Sequence, residues 1–114
     1  MSESDDVFER GLTAVNRLTA LLAEETRLIA AGRINEGLAL AAEKADAADV
    51  VGVVAGSLRA LEGHPGGAHA EALRQRIEAM QETLAVNLAV LATTRSVSES
   101  LLRDVSRRMA APLN

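Results

Sequence analysis

The residues able to do acid-base or metal chemistry are few and scattered along the 114-residue chain. His64 and His69 flank the loop HPGGAH, with Glu62 and Glu71 as the only nearby carboxylates. Zinc needs three or four converging ligands, so this set reads as a solvated loop. GRINEG, residues 32 to 37, has the glycine spacing of a phosphate loop, yet Leu38 and Ala39 stand where Lys and Ser or Thr are required. The chain has no cysteine, which removes disulfides, thiolate ligands and thiol nucleophiles together and fits a reducing compartment. One enzymatic arrangement is conceivable: Lys44 with Arg17, Arg27 and Gln75 inside a helical bundle, as in a small all-helical mutase. The plainer reading is that Lys44 snorkels out of an apolar seam to water. The chain is expected to have no catalytic residues, no metal and no cofactor.

The elements that would have to position any site are helices. The one clear breaker cluster is GHPGG at 63 to 67, where Pro restricts φ and Gly permits φ > 0. A second boundary lies at Gly32, where a helix C-cap belongs. Phe8, Val15, Leu22 and Ile29 recur every seven residues, widened by Leu12, Leu18, Leu21 and Leu28 into a core-facing stripe. In the second segment Leu40, Ala47, Val54 and Leu61 keep the same spacing, and helix formers precede the strand-prone valines. Its line of small residues, Ala41, Ala45, Ala48, Gly52 and Ala55, predicts close packing against a sister helix. The third segment has alternating spacings of four and three through Leu73, Ile77, Met80, Leu84, Asn87, Leu91, Thr94, Ser98, Leu101 and Val105.

The prediction is one all-α domain over residues 1–114, an antiparallel three-helix bundle or coiled coil with a long C-terminal helix. Its helices run over about 5–31, 33–62 and 69–110, with a loop at 63–68. The third helix, ~63 Å at 1.5 Å per residue, outreaches its ~45 Å neighbours, so ~12 residues should overhang. Ser, Thr and Val crowd TTRSVSES at 93 to 100 and weaken the helix there. Asn87, inside the apolar run LAVNLAVL, either fixes register at the seam or faces a wet edge.

A net charge of -4 argues against nucleic-acid binding. The longest apolar runs, residues 50 to 58 and 84 to 92, fall short of the ~20 needed to cross a bilayer. No basic and apolar leader opens the chain, and the expected location is cytoplasmic.

LTALLAEETRLIAAGR at 18 to 33, LALAAEKADAADVV at 38 to 51, RQRIEAMQETLAVNLAVLATTR at 74 to 95 and LLRDVSRRM at 101 to 109 together resemble the FlgN-like flagellar export chaperone family. The resemblance covers nearly the whole chain, through the order and spacing of its pieces and the Asn before an apolar stretch. It implies a cytoplasmic chaperone that covers the terminal helices of hook-filament junction proteins before type III export and hands them to the export apparatus. The long last helix would be the client-binding element. On that reading Asn87, Leu91, Val97, Leu101, Leu102, Val105 and Met109 form the partner-binding surface, Asn87 marking its border with the core. The alternative is a structural coiled-coil protein that self-associates, as a homodimer, through the same residues.

Overall fold

The computed structural model describes the backbone of residues 3–60 and 67–110, and the side chains of 6–57 and 70–110. The fold is all-α: α1 (Glu3–Ala30), α2 (Ile34–Leu38), α3 (Ala41–Ala60) and α4 (Gly67–Ala110). The described parts make a rod of 78 × 23 × 19 Å.

α1 forms because its apolar residues fall on one face, and that face is what it buries: Phe8, Val15, Leu22 and Ile29 are all core, with Leu18 and Leu28 beside them. It ends in a Schellman turn. Gly32 takes φ +82, its N–H donates to the Ile29 carbonyl, and the Arg33 N–H reaches the Leu28 carbonyl at 2.8 Å.

The expected single helix over 33–62 is divided. After the short α2, Ala39 and Leu40 form a turn in which the Leu40 N–H donates to the Gly37 carbonyl, and α3 begins at Ala41. The cause is close packing at the end of α1. A Cβ on Gly37 would lie 2.7 Å from Ile29 Cγ1, so α2 crosses α1 at a separation open only to glycine, and the turn redirects the chain along α1.

α3 runs antiparallel to α1: Lys44 lies by Glu25, Ala47 by Leu18 and Leu22, Val54 by Gly11. α4 runs parallel to α1 with a constant offset of 62 residues, which links Glu25 to Asn87 and Gly11 to Leu73. α1 is therefore the spine, and α3 and α4 each pack along it rather than along one another. Among the described residues the core is organised around two clusters, Phe8, Val15 and Leu73 at one level and Leu18, Leu22 and Ala47 at the next, with Val51 and Met80 packed against both.

The expectation of close packing on the small-residue line of α3 is overturned. Ala41, Ala45, Ala48 and Gly52 are exposed, and a Cβ on Gly52 or Gly56 would meet nothing within 4 Å. α3 meets α1 through its line of Ala47, Val51 and Val54 instead, one face over. Among the described residues, the close approach of α3 and α4 to α1 is at Gly11, where a Cβ would touch Val54 at 3.1 Å and Leu73 at 3.3 Å.

Candidate functional site

The 62-residue offset determines what α4 can bury. Ala30, the last residue of α1, falls opposite residue 92, and Thr93 and Thr94 are the last residues of α4 beside it, so from residue 95 onward α4 has no spine to lie against. Residues 95–110 are all exposed. This arm of ~24 Å is somewhat longer than the overhang predicted from helix lengths. The helix is continuous through Thr93–Ser100 despite the poor helix formers there, because the supported part of α4 already provides the nucleus and each added residue needs only to propagate.

Val97, Leu101, Leu102, Val105 and Met109 are 50 to 82% exposed. At 100° per residue, Leu101, Leu102, Val105 and Met109 lie on the same side of α4 as Leu73, Met80 and Asn87, which face α1; Val97 sits at its margin. The arm's apolar strip is thus the continuation of a helix-binding face past the end of the helix it binds. The flanks are polar: Arg95 pairs with Glu99 at 3.0 Å and Arg107 with Asp104 at 3.2 Å. Arg103 and Arg108 have no acidic partner among the described residues.

Asn87 does not belong to that exposed surface, nor does it face a wet edge. It is 1% exposed and its amide nitrogen lies against α1, 2.7 Å from Glu25 Oε1, 3.1 Å from Thr26 Oγ1 and 3.2 Å from the Leu22 carbonyl. All three are acceptors, which orients the NH2 group toward them. Glu25 is 2% exposed, and Lys44 from α3 donates to both its oxygens at 2.9 and 3.1 Å. Helices α1, α3 and α4 thereby share one carboxylate. A buried carboxylate is costly unless paired and hydrogen-bonded, and here it has both kinds of support. Among the described residues Asn87 Oδ1 has no hydrogen-bond partner.

Leu91, one turn beyond Asn87, is half-buried at the root of the arm. Residues not singled out in the sequence also border this region. Val86, Val90, Thr93 and Thr94 line a shallow crevice with Ile29 and Ala30, and Val86 is exposed. Glu25 was legible in principle: it lies three residues after Leu22 and four before Ile29, on the apolar line of α1. A charge there demands a partner, and Lys44 and Asn87 sit on the corresponding lines of their own helices.

The residues of the conceivable mutase arrangement do not converge. Lys44 is held by Glu25, Arg27 by Glu24, and Gln75 donates to Glu71. Arg17 lines a groove between α1 and α3. Lys44 does not snorkel freely to water; its ammonium is retained at the buried carboxylate. Among the described residues no group of three or more His, Asp or Glu could hold a metal ion. The side chains of His64 and His69 lie outside the described residues. No helix among the described residues is long and apolar enough to cross a membrane. A scan of protein-family models, a search of curated proteins and a search of solved structures each returned no match to this chain.

Proposed function

We propose that this protein is a non-enzymatic cytoplasmic chaperone of the flagellar type III export route, whose C-terminal arm covers a terminal helix of a hook-filament junction protein before export and then delivers it to the export apparatus. The observation that carries the reading is the unsupported arm. Val97, Leu101, Leu102, Val105 and Met109 project from a helix whose own partner, α1, has ended. A second amphipathic helix lying in line with α1 would meet the same kind of surface that α1 meets lower down, in the helix-in-groove manner. The resemblance of four sequence segments to FlgN-like chaperones supplies the identity of the client; the arm supplies a place for it.

Leu91 closes the inner end of this surface, and Asn87, held within the core, positions the arm without touching the client. Covering the strip is worth ~25 cal/mol per Å² of apolar area, less the cost of ordering the client.

The test is titration of the full chain with labelled peptides spanning the terminal helices of junction proteins, followed by anisotropy. The double variant Leu101→Asp, Val105→Asp should weaken binding at least ~tenfold while leaving the helical circular dichroism of the folded chain unchanged. Binding unaltered by the double variant, or no binding by the wild-type chain, overturns the proposal.

A further inference from the structure

The rod carries a second unfilled apolar feature at its other end. α1 and α3 leave an open groove whose floor includes Ala14 and Val54 and whose α3 wall is Val50 and Val53, both substantially exposed. Its rim holds the carboxylates of Asp6, Glu9 and Asp49, against the guanidiniums of Arg10 and Arg17. Asp46 extends the acidic side by one turn of α3. None of these four carboxylates forms an ion pair within the described residues.

The arm is the complement of this groove in three respects. It presents aliphatic side chains where the groove presents an aliphatic wall. It carries four Arg against two acids, with Arg103 and Arg108 in no ion pair among the described residues, where the groove has an acidic excess. It is ~24 Å long, and the groove runs along α1 from Asp6 to Arg17, ~18 Å. The chain cannot satisfy itself, because arm and groove lie at opposite ends of a 78 Å rod.

We infer that the groove between α1 and α3 receives the C-terminal arm of a second copy of this chain, in a reciprocal antiparallel pair that seats both arms at once. Such a pairing is isologous and closes at two chains. Arm against arm is disfavoured by comparison: the two surfaces bear the same sign of excess charge, and one short helix crossing would cover far less area than two arm–groove contacts. The pair stands independently of the chaperone reading. One consequence rests on that reading: the arm would be covered by a sister chain until a client helix displaces it.

Because the chain has no cysteine, single introduced thiols report the pairing directly. A mixture of Val53→Cys chains and Leu101→Cys chains, treated with a short bismaleimide, should give the mixed cross-linked dimer in preference to either self-cross-linked species. Light scattering across a dilution series should show a dimer for the wild-type chain. Asp49→Lys, or Arg103→Glu with Arg108→Glu, should each weaken it at least ~tenfold, and the three changes combined in one chain should recover part of the loss.

A monomer at every concentration, or efficient Leu101→Cys self-cross-linking with no mixed product, overturns the inference. Asp49→Lys leaves the arm untouched, so it should lose the dimer and keep any client binding. Failure of the client to bind, with the dimer and its cross-link intact, would count against the chaperone reading alone.

Discussion

Asn87 of α4 and Glu25 of α1, 62 residues apart in the chain, meet at 2.7 Å inside the contact between their helices. Glu25 also accepts from Lys44 of α3, so the contact ties the three long helices at one level. Aliphatic seams of similar side chains tolerate sliding by a turn; a buried carboxylate with dedicated donors does not, because any slip leaves it unpaired. The level at which α1 stops supporting α4, and hence where the arm begins, follows from this pairing.

Replacing Asn87 therefore tests the register. Asn87→Ala removes one donor from a buried carboxylate and should cost about 1–3 kcal/mol. Asn87→Asp, nearly isosteric, places a second carboxylate against Glu25 and should cost more, about 3–5 kcal/mol. Urea denaturation of the two variants reads the difference. Equal stability of Ala and Asp at this position would mean that the amide is not the group facing Glu25.

How far the sequence alone leads depends on the kind of feature. Seven-residue spacing located α1 and its buried face correctly, since Phe8, Val15, Leu22 and Ile29 are all core. The excess length of the last helix was equally legible, being a matter of rise per residue. The turn at Ala39 and Leu40 was not: neither residue is a helix breaker, and the cause is a contact between Gly37 and Ile29 that exists only once α2 meets α1. The small line on α3 misled for the converse reason, as small residues permit close approach without requiring it. Asn87 could be flagged as unusual, but its partner could be named only by noticing that Glu25 occupies an apolar position on another helix.

The glycines separate these cases experimentally. Gly37→Ala forces a Cβ to within 2.7 Å of Ile29 Cγ1 and should destabilise by about 1–2 kcal/mol net of the helix-propensity gain. Gly52→Ala adds a methyl to open space on a helix and should stabilise by about 1 kcal/mol. Thermal unfolding midpoints moving in opposite directions is the expected result. A destabilising Gly52→Ala would show that the outer face of α3 is covered in solution.

Two exposed carboxylates should titrate low. Hydrogen bonding from Arg27 holds Glu24 below the ordinary glutamate value of 4.5, aided by the charges of Arg27 and Arg33 and opposed by partial desolvation. Arg74 does the same to Glu71, with Gln75 contributing. For a carboxylate whose folded pKa is depressed, the stabilising contribution is present above the unfolded value and is lost as pH falls through the folded one. The window thus lies below pH 4.5 for both residues, and the contribution is small because both pairs are solvated. Carbon-detected NMR titration should show both carboxyls low, and Arg27→Ala should return Glu24 alone to the ordinary range.

Deleting the arm tests whether it is structural. Residues 95–110 are exposed throughout and continue α4 beyond the end of α1, so a chain ending at Thr94 should keep its core intact. The clusters around Phe8, Val15 and Leu73 and around Leu18, Leu22 and Ala47 lie wholly within the retained part, as do Glu25, Lys44 and Asn87. Measured where both chains are monomeric, the unfolding free energy should change by less than about 0.5 kcal/mol, the range expected for surface changes away from special features. In the full chain diluted until it is monomeric, arm amides should exchange faster than those of residues 73–91, because Ser, Thr and Val at 93–100 weaken propagation and no contact within the chain compensates. On the proposed chaperone function, binding to client helices should vanish with the arm while the core melts as before. A truncated chain that unfolds, or arm amides of the monomeric full chain protected as well as those around Asn87, would mean that the distal turns pack against their own chain and are not a surface open to a partner.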